Sequence, residues 1–301
     1  MKAIIFFIVM SFFCSISPIV SAQTIQSDSL NYVIDKANQG DADTQCRLGL
    51  YYLGEKKYDQ AVKWLTKSAK QEHAAAQSYL GLCYYNGQGM QQDYFQAALW
   101  LKKASDKGYC VGQGLLGVCY YNGQGVIQDY NLAYNLFKES AKMGYPEAEF
   151  YLGKCYYWGQ GVTQDYEQAA KWYKKAAEQG HVNAQYALGV CYYFGQGVPQ
   201  DYEQSVEWYK IAAEQGDENA QFALGSCYYY AKGILKSEAL AAFWYKKAAE
   251  QGHPEAQFHI GVCYMGGIGV AQNDIWGIQW LKKAAEQGHS EAQYQLNQIH
   301  K

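Results

Sequence analysis

Apolar and aromatic residues recur along the chain in pairs of helical stretches that are separated by glycines. In residues 181–216, the first stretch keeps a helical period over residues 183–193, and Gly195 and Gly197 then interrupt it. The second stretch begins after Asp201, which is well placed to cap a helix, and it stops at the glycine that ends the segment. The pattern predicts a helix (helix A), a tight turn and a second helix (helix B).

This pattern repeats every 36 residues. Neither helix of a unit can bury its apolar stripe alone, so the units are expected to stack into one array. A shorter unit over residues 41–72 lacks the glycine-rich turn. We expect a capping helix within the N-terminal segment 23–40 and another at residues 289–301. The six full units span residues 73–108, 109–144, 145–180, 181–216, 217–252 and 253–288.

The repeated residues resemble the Sel-one-like repeat, a relative of the tetratricopeptide repeat with a longer connecting turn. The resemblance covers nearly all of the chain after residue 22, and it implies an all-α fold, a right-handed α-solenoid superhelix. It also implies protein–protein interaction or adaptor function, with helix A lining the concave face. Ala231 and Ser237 depart from the pattern, which leaves the turn and the cap of that unit open. In the unit 181–216 the motif is carried by Ala184, Gln185, Leu188, Gly189, Tyr192, Gly195, Gly197 and Val198.

Helix A has one constant and one variable face. At roughly 100° per residue, unit positions 4, 8, 11 and 12 fall on one arc, and positions 3, 6, 10, 13 and 14 fall on the opposite arc. Variation between units is greatest on the second arc, as Leu82, Lys154 and Ser226 at position 10 illustrate. We therefore expect packing to fix the first face, and solvent or a ligand to meet the second.

The variable face is unusually rich in aromatic residues, which combine a large apolar area with a polar tip in Tyr and Trp. We hypothesise that it forms a groove for an extended peptide or a cell-wall glycan. The alternative is that the rings only pack between adjacent A helices. The candidate partner-binding residues are Tyr85, Tyr121, Phe150, Lys154, Tyr157, Trp158, Tyr186, Tyr193, Phe194, Phe222, Tyr229 and Tyr230.

The N-terminus has the layout of a secretory signal peptide over residues 1–22. Lys2 precedes an apolar run over residues 3–20, and small residues precede a cleavage site after Ala22. A transmembrane anchor is the alternative, but the run is short for a span and contains Pro18. We expect an exported protein, periplasmic or secreted, that does not span a membrane after cleavage.

Six cysteines form a ladder with one member in each full unit. Equivalent helices of neighbouring units should lie roughly 8–10 Å apart, beyond the Cα separation of about 4.4–6.8 Å that a disulfide needs. The ladder should stay unpaired and serve as small buried apolar residues, rather than as a metal or redox site. Cys46 and Cys110 lie off the ladder, and either can be free. The ladder consists of Cys83, Cys119, Cys155, Cys191, Cys227 and Cys263.

Charge and motifs exclude several function classes. The net charge of -3 leaves no basic surplus for phosphates, so no nucleic-acid partner is expected. Residues 112–117 match the G-x-G-x-x-G motif of dinucleotide-binding proteins in sequence only. That motif follows a β-strand, whereas these residues fall inside a predicted helix A. Nucleophile and zinc motifs are absent from the sequence, so we expect no catalytic centre, no cofactor and no metal site. Histidines at the first unit position should pack against or cap helix A; they are His73, His181, His253 and His289.

These observations favour an exported, non-catalytic scaffold, an adaptor or regulator that binds a protein or peptide partner through its concave aromatic face. A binder of cell-wall glycan or peptidoglycan that uses the same residues is the alternative. A β-lactam hydrolase is a third possibility, implied only by cysteine-rich relatives of the family. The chain lacks the S-x-x-K motif of such enzymes, which argues against this third function.

Overall fold

A computed structural model describes residues 30–299 of the chain. Over that range the protein consists of sixteen α-helices without a β-strand. Within residues 30–181 and within residues 182–299, consecutive helices pack against each other in chain order, so the fold is an all-α solenoid of helical repeats, as the sequence predicts. The predicted signal peptide and residues 23–29 lie outside the described residues.

The chain divides into two compact bodies between His181 and Val182. The described helices of the N-terminal body are α1 (Leu30–Asn38), α2 (Ala42–Gly54), α3 (Tyr58–Lys70), α4 (Ala74–Asn86), α5 (Tyr94–Asp106), α6 (Cys110–Asn122), α7 (Tyr130–Lys142), α8 (Pro146–Trp158) and α9 (Tyr166–Glu178). Those of the C-terminal body are α10 (Val182–Phe194), α11 (Tyr202–Glu214), α12 (Glu218–Tyr230), α13 (Glu238–Glu250), α14 (Pro254–Gly266), α15 (Asp274–Glu286) and α16 (Ser290–Ile299).

Aspartates before the B helices act as N-caps, which explains where these helices begin. The Asp201 carboxylate accepts hydrogen bonds from the backbone N–H groups of Glu203 and Gln204, each at 3.0 Å. The predicted cap at Asp201 is therefore confirmed. Helix α10 is one residue longer at each end than the predicted 183–193, because the helical path continues up to Gly195, whose φ of 68° ends it.

The unit at residues 217–252 keeps the common turn despite its divergent sequence. Ala231 adopts the left-handed conformation with φ of 55°, and its N–H donates to the Cys227 carbonyl. The Ser237 hydroxyl then accepts from the Leu240 N–H at 3.3 Å. The turn and the cap, left open by the sequence, are thus the same as in the neighbouring units.

Helices A and B of a unit approach closely at one conserved repeat position. A Cβ atom added to Gly189 of α10 would lie 2.6 Å from the Tyr209 ring of α11, so the close contact requires glycine. Around it, Ala184, Leu188 and Cys191 are fully buried, which confirms packing at unit positions 4, 8 and 11. Tyr192 at position 12 is only half-buried, because it lies at the edge of the packed arc.

Buried glutamines at position 5 of helix A bond in the C-terminal body to helix B of the preceding unit and to the end of helix B in their own unit, contacts that the sequence analysis did not predict. Gln221 Nε2 donates to the Ala213 carbonyl at 3.1 Å, and Gln251 Nε2 donates to Gln221 Oε1 at 2.8 Å. Gln257 and Gln287 repeat the second bond at 2.8 Å in the next unit. These side-chain bonds satisfy amides that lie in apolar surroundings.

Candidate partner-binding surface

Three of the predicted residues stand out by their exposure. They occupy unit position 14, the last residue of helix A, where a partner can reach them. In the N-terminal body Trp158 is 62% exposed. In the C-terminal body Phe194 is 62% and Tyr230 is 58% exposed. We call these three residues the terminal rings.

Each terminal ring is supported by the tyrosine that precedes it. Tyr157 meets Trp158 edge-on with ring centroids 4.8 Å apart, and Tyr193 meets Phe194 in the same way at 4.9 Å. The same tyrosines pack edge-on against the first residue of helix B, as Tyr193 does with Tyr202 at 5.1 Å. Tyr157 and Tyr193 are therefore clamped between two rings, and they hold Trp158 and Phe194 in place.

The position 6 rings serve mainly the packing between units. Phe150 stacks on His181 with centroids 4.7 Å apart in the N-terminal body, and Phe222 stacks on His253 at 4.8 Å in the C-terminal body. His253 Nδ1 also accepts from the Ala256 N–H at 3.2 Å, which caps helix α14. This contact confirms the expected packing and capping role of that histidine.

Tyr121 is buried, in contrast to the accessible ring expected from its position. It is 8% exposed, because Phe137 and Tyr151 cover it at centroid distances of 6.2 and 5.4 Å. The remaining candidates are half-buried: Tyr85, Phe150, Lys154, Tyr157, Tyr186, Tyr193, Phe222 and Tyr229. The structure thus separates the candidate residues into packing rings and exposed terminal rings.

Two apolar residues of the turns were missed by the sequence analysis. Ile127 in the N-terminal body is 91% exposed, and Leu235 in the C-terminal body is 89% exposed. Both occupy position 19 of their units, just after the glycine-rich turn. A large aliphatic residue at a position that other units fill with Gln91 or Thr163 was the signal that could have identified them.

The half-buried Lys154 lies among aromatic rings on α8. Its Nζ is 4.9 Å from the ring centroids of both Tyr121 and Tyr151, and 5.8 Å from that of Phe150. Burial lowers the pKa of the Lys154 ammonium, while electrostatic interactions with Cys155 and Glu147 act to raise it. The surface therefore carries a partly desolvated positive charge.

In the unit at residues 145–180, Glu149 stands at position 5, where Gln221 and Gln257 provide the buried glutamine of their units. It accepts from Gln179 Nε2 at 2.5 Å and is 4% exposed. Burial raises the pKa of its carboxyl to about 7, against a lowering effect from Lys175. The Glu149 carboxyl thus titrates near neutral pH.

The cysteine ladder is free and buried, as predicted. Burial raises the pKa of the Cys191 thiol to about 12, and the Cys46 thiol is free with a similarly raised pKa of about 12. Such thiols are poor nucleophiles at neutral pH. Cys110 is also buried but is not one of the free thiols.

Residues 30–299 contain neither a candidate metal site nor a helix suited to span a membrane. In this part of the chain no three His, Cys, Asp or Glu side chains group into a candidate metal site. Nor does any helix there have the length and apolar character needed to cross a bilayer.

Comparison with known proteins finds similar repeat structures. A protective antigen of uropathogenic Escherichia coli with an SLR fold is 37% identical, with a TM-score of 0.73, over 90% of this chain. This chain spans 59% of the length of that protein. A Sel1 repeat protein from Oxalobacter formigenes is 32% identical over 80% of this chain and 96% of its own, with a TM-score of 0.70.

The family model for the Sel1 repeat matches seven consecutive segments of the chain. A comparison with curated protein sequences gives no match. The first matched segment is the short unit, and the others follow the six full units with boundaries shifted by one or two residues. The segments are residues 42–73, 74–109, 111–145, 146–181, 182–217, 219–253 and 254–289.

Proposed function

The chain belongs to the Sel1 repeat family, whose members are generally non-catalytic scaffolds, and from that premise we propose an exported scaffold that binds a protein partner through its terminal rings. The observation that carries the proposal is the exposure of Trp158, Phe194 and Tyr230. Large rings of this kind contribute most of the binding energy at many protein interfaces. Exposed at the ends of A helices, they present apolar area that a partner can bury.

The support under these rings strengthens the proposal. Because Tyr157 contacts Trp158 edge-on, and Tyr229 contacts Tyr230 likewise at 4.9 Å, the exposed rings are held before a partner arrives. A side chain that is already ordered loses less entropy on binding. The aromatic pairs at positions 13 and 14 of helix A therefore favour recognition at these sites over simple exposure of apolar side chains.

Export is the second part of the proposal, and it rests on the sequence of residues 1–22. That the similar Escherichia coli protein is a protective antigen supports it. Expression of the full chain in a Gram-negative host should yield an extracytoplasmic protein that begins at Gln23. Mass spectrometry of the periplasmic and culture fractions measures this. A full-length, cytoplasmic product would contradict export.

A capture experiment tests the binding surface. The triple variant Trp158→Ala, Phe194→Ala and Tyr230→Ala should fold normally, because all three side chains are largely exposed, and should lose proteins that the parent chain captures from an envelope extract. The matched control changes Phe95 and Ile275, which are 60% and 70% exposed at the starts of B helices, to alanine. Capture that survives the triple variant with an unchanged circular dichroism spectrum would overturn the proposed surface.

Recognition of a cell-wall glycan is the second candidate, and the edge-supported terminal rings favour it as well, because sugar rings pack on aromatic faces. Purified sacculi distinguish the two functions. A scaffold for proteins should not be retained by protein-free sacculi. Retention that depends on Trp158, Phe194 and Tyr230, without any captured protein, would replace the protein partner with a glycan.

A further inference from the structure

Lys154 breaks the repeat in the N-terminal body. The equivalent position 10 of other units carries short or apolar residues, such as Leu82 and Val118 in the same body. Lys154 lies half-buried on α8, one helical turn before the exposed Trp158. The other full units carry an uncharged residue at this position, so the charge of Lys154 indicates a contact that is specific to its own unit.

The ammonium of Lys154 is surrounded by aromatic rings. Its Nζ lies 4.9 Å from the Tyr121 and Tyr151 ring centroids, which gives a cation–π environment. Within the described residues it forms no ion pair within 4.0 Å. The carboxylate that acts on it electrostatically, Glu147, is bonded to His181 Nε2 at 2.9 Å. The rings compensate only part of the hydration that this ammonium has lost.

Amide groups lie close to the same rings. The Tyr85 hydroxyl donates to Gln124 Oε1, and Asn122 Nδ2 donates to the same oxygen at 3.3 Å. Asn122 also contacts the hydroxyl region of Tyr151, whose pKa it lowers against the raising effect of burial. Asn122 is exposed, so its amide remains accessible to the backbone of a bound segment.

We propose that Lys154 binds the carboxylate of an Asp or Glu side chain in an extended peptide segment of the partner, beside Trp158, which packs on an apolar neighbour of that acid. This inference rests on the proposed function. A single carboxylate fits better than a polyanion such as a nucleic acid, because the protein carries a net charge of -3 and Glu147 lies nearby. The bond is charge-assisted and partly shielded from water, so it should be strong.

Selection from a peptide library tests this inference without knowledge of the natural partner. The probe is a phage-displayed library of random dodecapeptides whose C-termini are fused to the coat protein, so any selected acid is a side chain. The parent chain should enrich peptides with Asp or Glu at one common position. Replacement of that acid by its amide in a synthetic peptide should weaken binding about tenfold or more in fluorescence anisotropy.

Two variants of the full chain complete the experiment. Lys154→Val restores the residue found at position 10 of neighbouring units, so it should fold, and its selected peptides should lack the acidic preference. Lys103→Gln removes an equal charge, 4.5 Å from the Trp100 ring on helix α5, and should keep the preference. An acidic preference that persists on Lys154→Val, or an acid-to-amide change without effect on the parent chain, overturns the role of Lys154.

The failure of the broader proposal is distinguishable from the failure of this one. Peptides that depend on the terminal rings but show no acidic preference would leave the scaffold function intact and remove the carboxylate site. If the parent chain enriches no peptide, both the peptide-binding function and the role of Lys154 are contradicted. Thermal unfolding of Lys154→Val, monitored by circular dichroism, ensures that lost preference does not reflect lost structure.

Discussion

At the scale of single residues, one unit differs from the others by the exchange of a buried polar group within an otherwise constant set of helix contacts. In the C-terminal body Gln221 and Gln257 fill the interface position as neutral amides. In the N-terminal body Gln45 and Gln77 fill it too, whereas in the unit at residues 145–180 Glu149 occupies it and accepts from Gln179. The hydrogen bond to the following glutamine is retained, but the carboxyl of Glu149 can ionise. The stability of the helix packing around Glu149 therefore depends on pH, whereas a neutral glutamine adds no such dependence.

Replacement of Glu149 by Gln should stabilise the protein at alkaline pH. The pKa of Glu149 is raised by burial from 4.5 to about 7 in the folded chain, so its favourable contribution is present below pH 4.5 and is lost as pH rises through about 7. At about pH 8 the variant should gain up to about 3 kcal/mol in the free energy of unfolding, since each pKa unit corresponds to about 1.4 kcal/mol. At about pH 4 the difference should vanish.

Urea unfolding across this pH range measures the effect of Glu149→Gln. The control is Glu147→Gln, which changes a half-buried carboxylate two residues away that pairs with His181. If Glu149→Gln gave the same gain at acid and alkaline pH, the effect would come from packing and the titration argument would fail.

At the scale of elements, the sequence predicted the helix pairs, because periodicity and caps such as Asp201 are local signals. It did not separate exposed from buried rings. Tyr121 and Tyr157 share one unit position, yet only Tyr121 is buried, because Tyr151 of the next helix A covers it. Burial of that kind depends on the neighbouring unit and is therefore not readable from one helix alone. The interface glutamines were missed for the same reason.

Replacement of Ala231 by Gly should stabilise the C-terminal body. Ala231 holds a φ of 55°, whereas the equivalent Gly195 holds a φ of 68° without a Cβ penalty. The left-handed conformation costs an L-residue about 1 kcal/mol, so Ala231→Gly should raise the free energy of unfolding by about that amount. The mirror change, Gly195→Ala, should lower it by a similar or larger amount, because its Cβ would lie 3.2 Å from the Gln200 Cβ.

Chemical denaturation of the two variants under identical conditions provides the measurement. Opposite signs for Ala231→Gly and Gly195→Ala would establish that the turn conformation is shared by the two units. An Ala231→Gly variant that is less stable than the parent would show instead that the alanine methyl group contributes packing that outweighs the backbone strain.

At the scale of the whole molecule, a repeat array is held together by contacts between neighbouring units, so its parts can open separately. The buried cysteines report on such opening in both bodies, because one lies in each helix A. Cys155 belongs to the N-terminal body and Cys263 to the C-terminal body, and both are free. Burial raises the pKa of the first thiol to about 12 and that of the second to about 11, so neither should react until its surroundings open.

Stabilisation at Glu149 should therefore protect Cys155 more than Cys263. If the bodies open independently, Glu149→Gln at about pH 8 should slow labelling of Cys155 by a thiol reagent up to about a hundredfold and leave Cys263 nearly unchanged, since about 3 kcal/mol corresponds to roughly two powers of ten in an opening equilibrium. Mass spectrometry of labelled peptides gives the two rates separately. Equal slowing at both cysteines would mean that the array opens as one cooperative body. A partner bound at Trp158 would then stabilise the units of the C-terminal body as strongly as those of the N-terminal body.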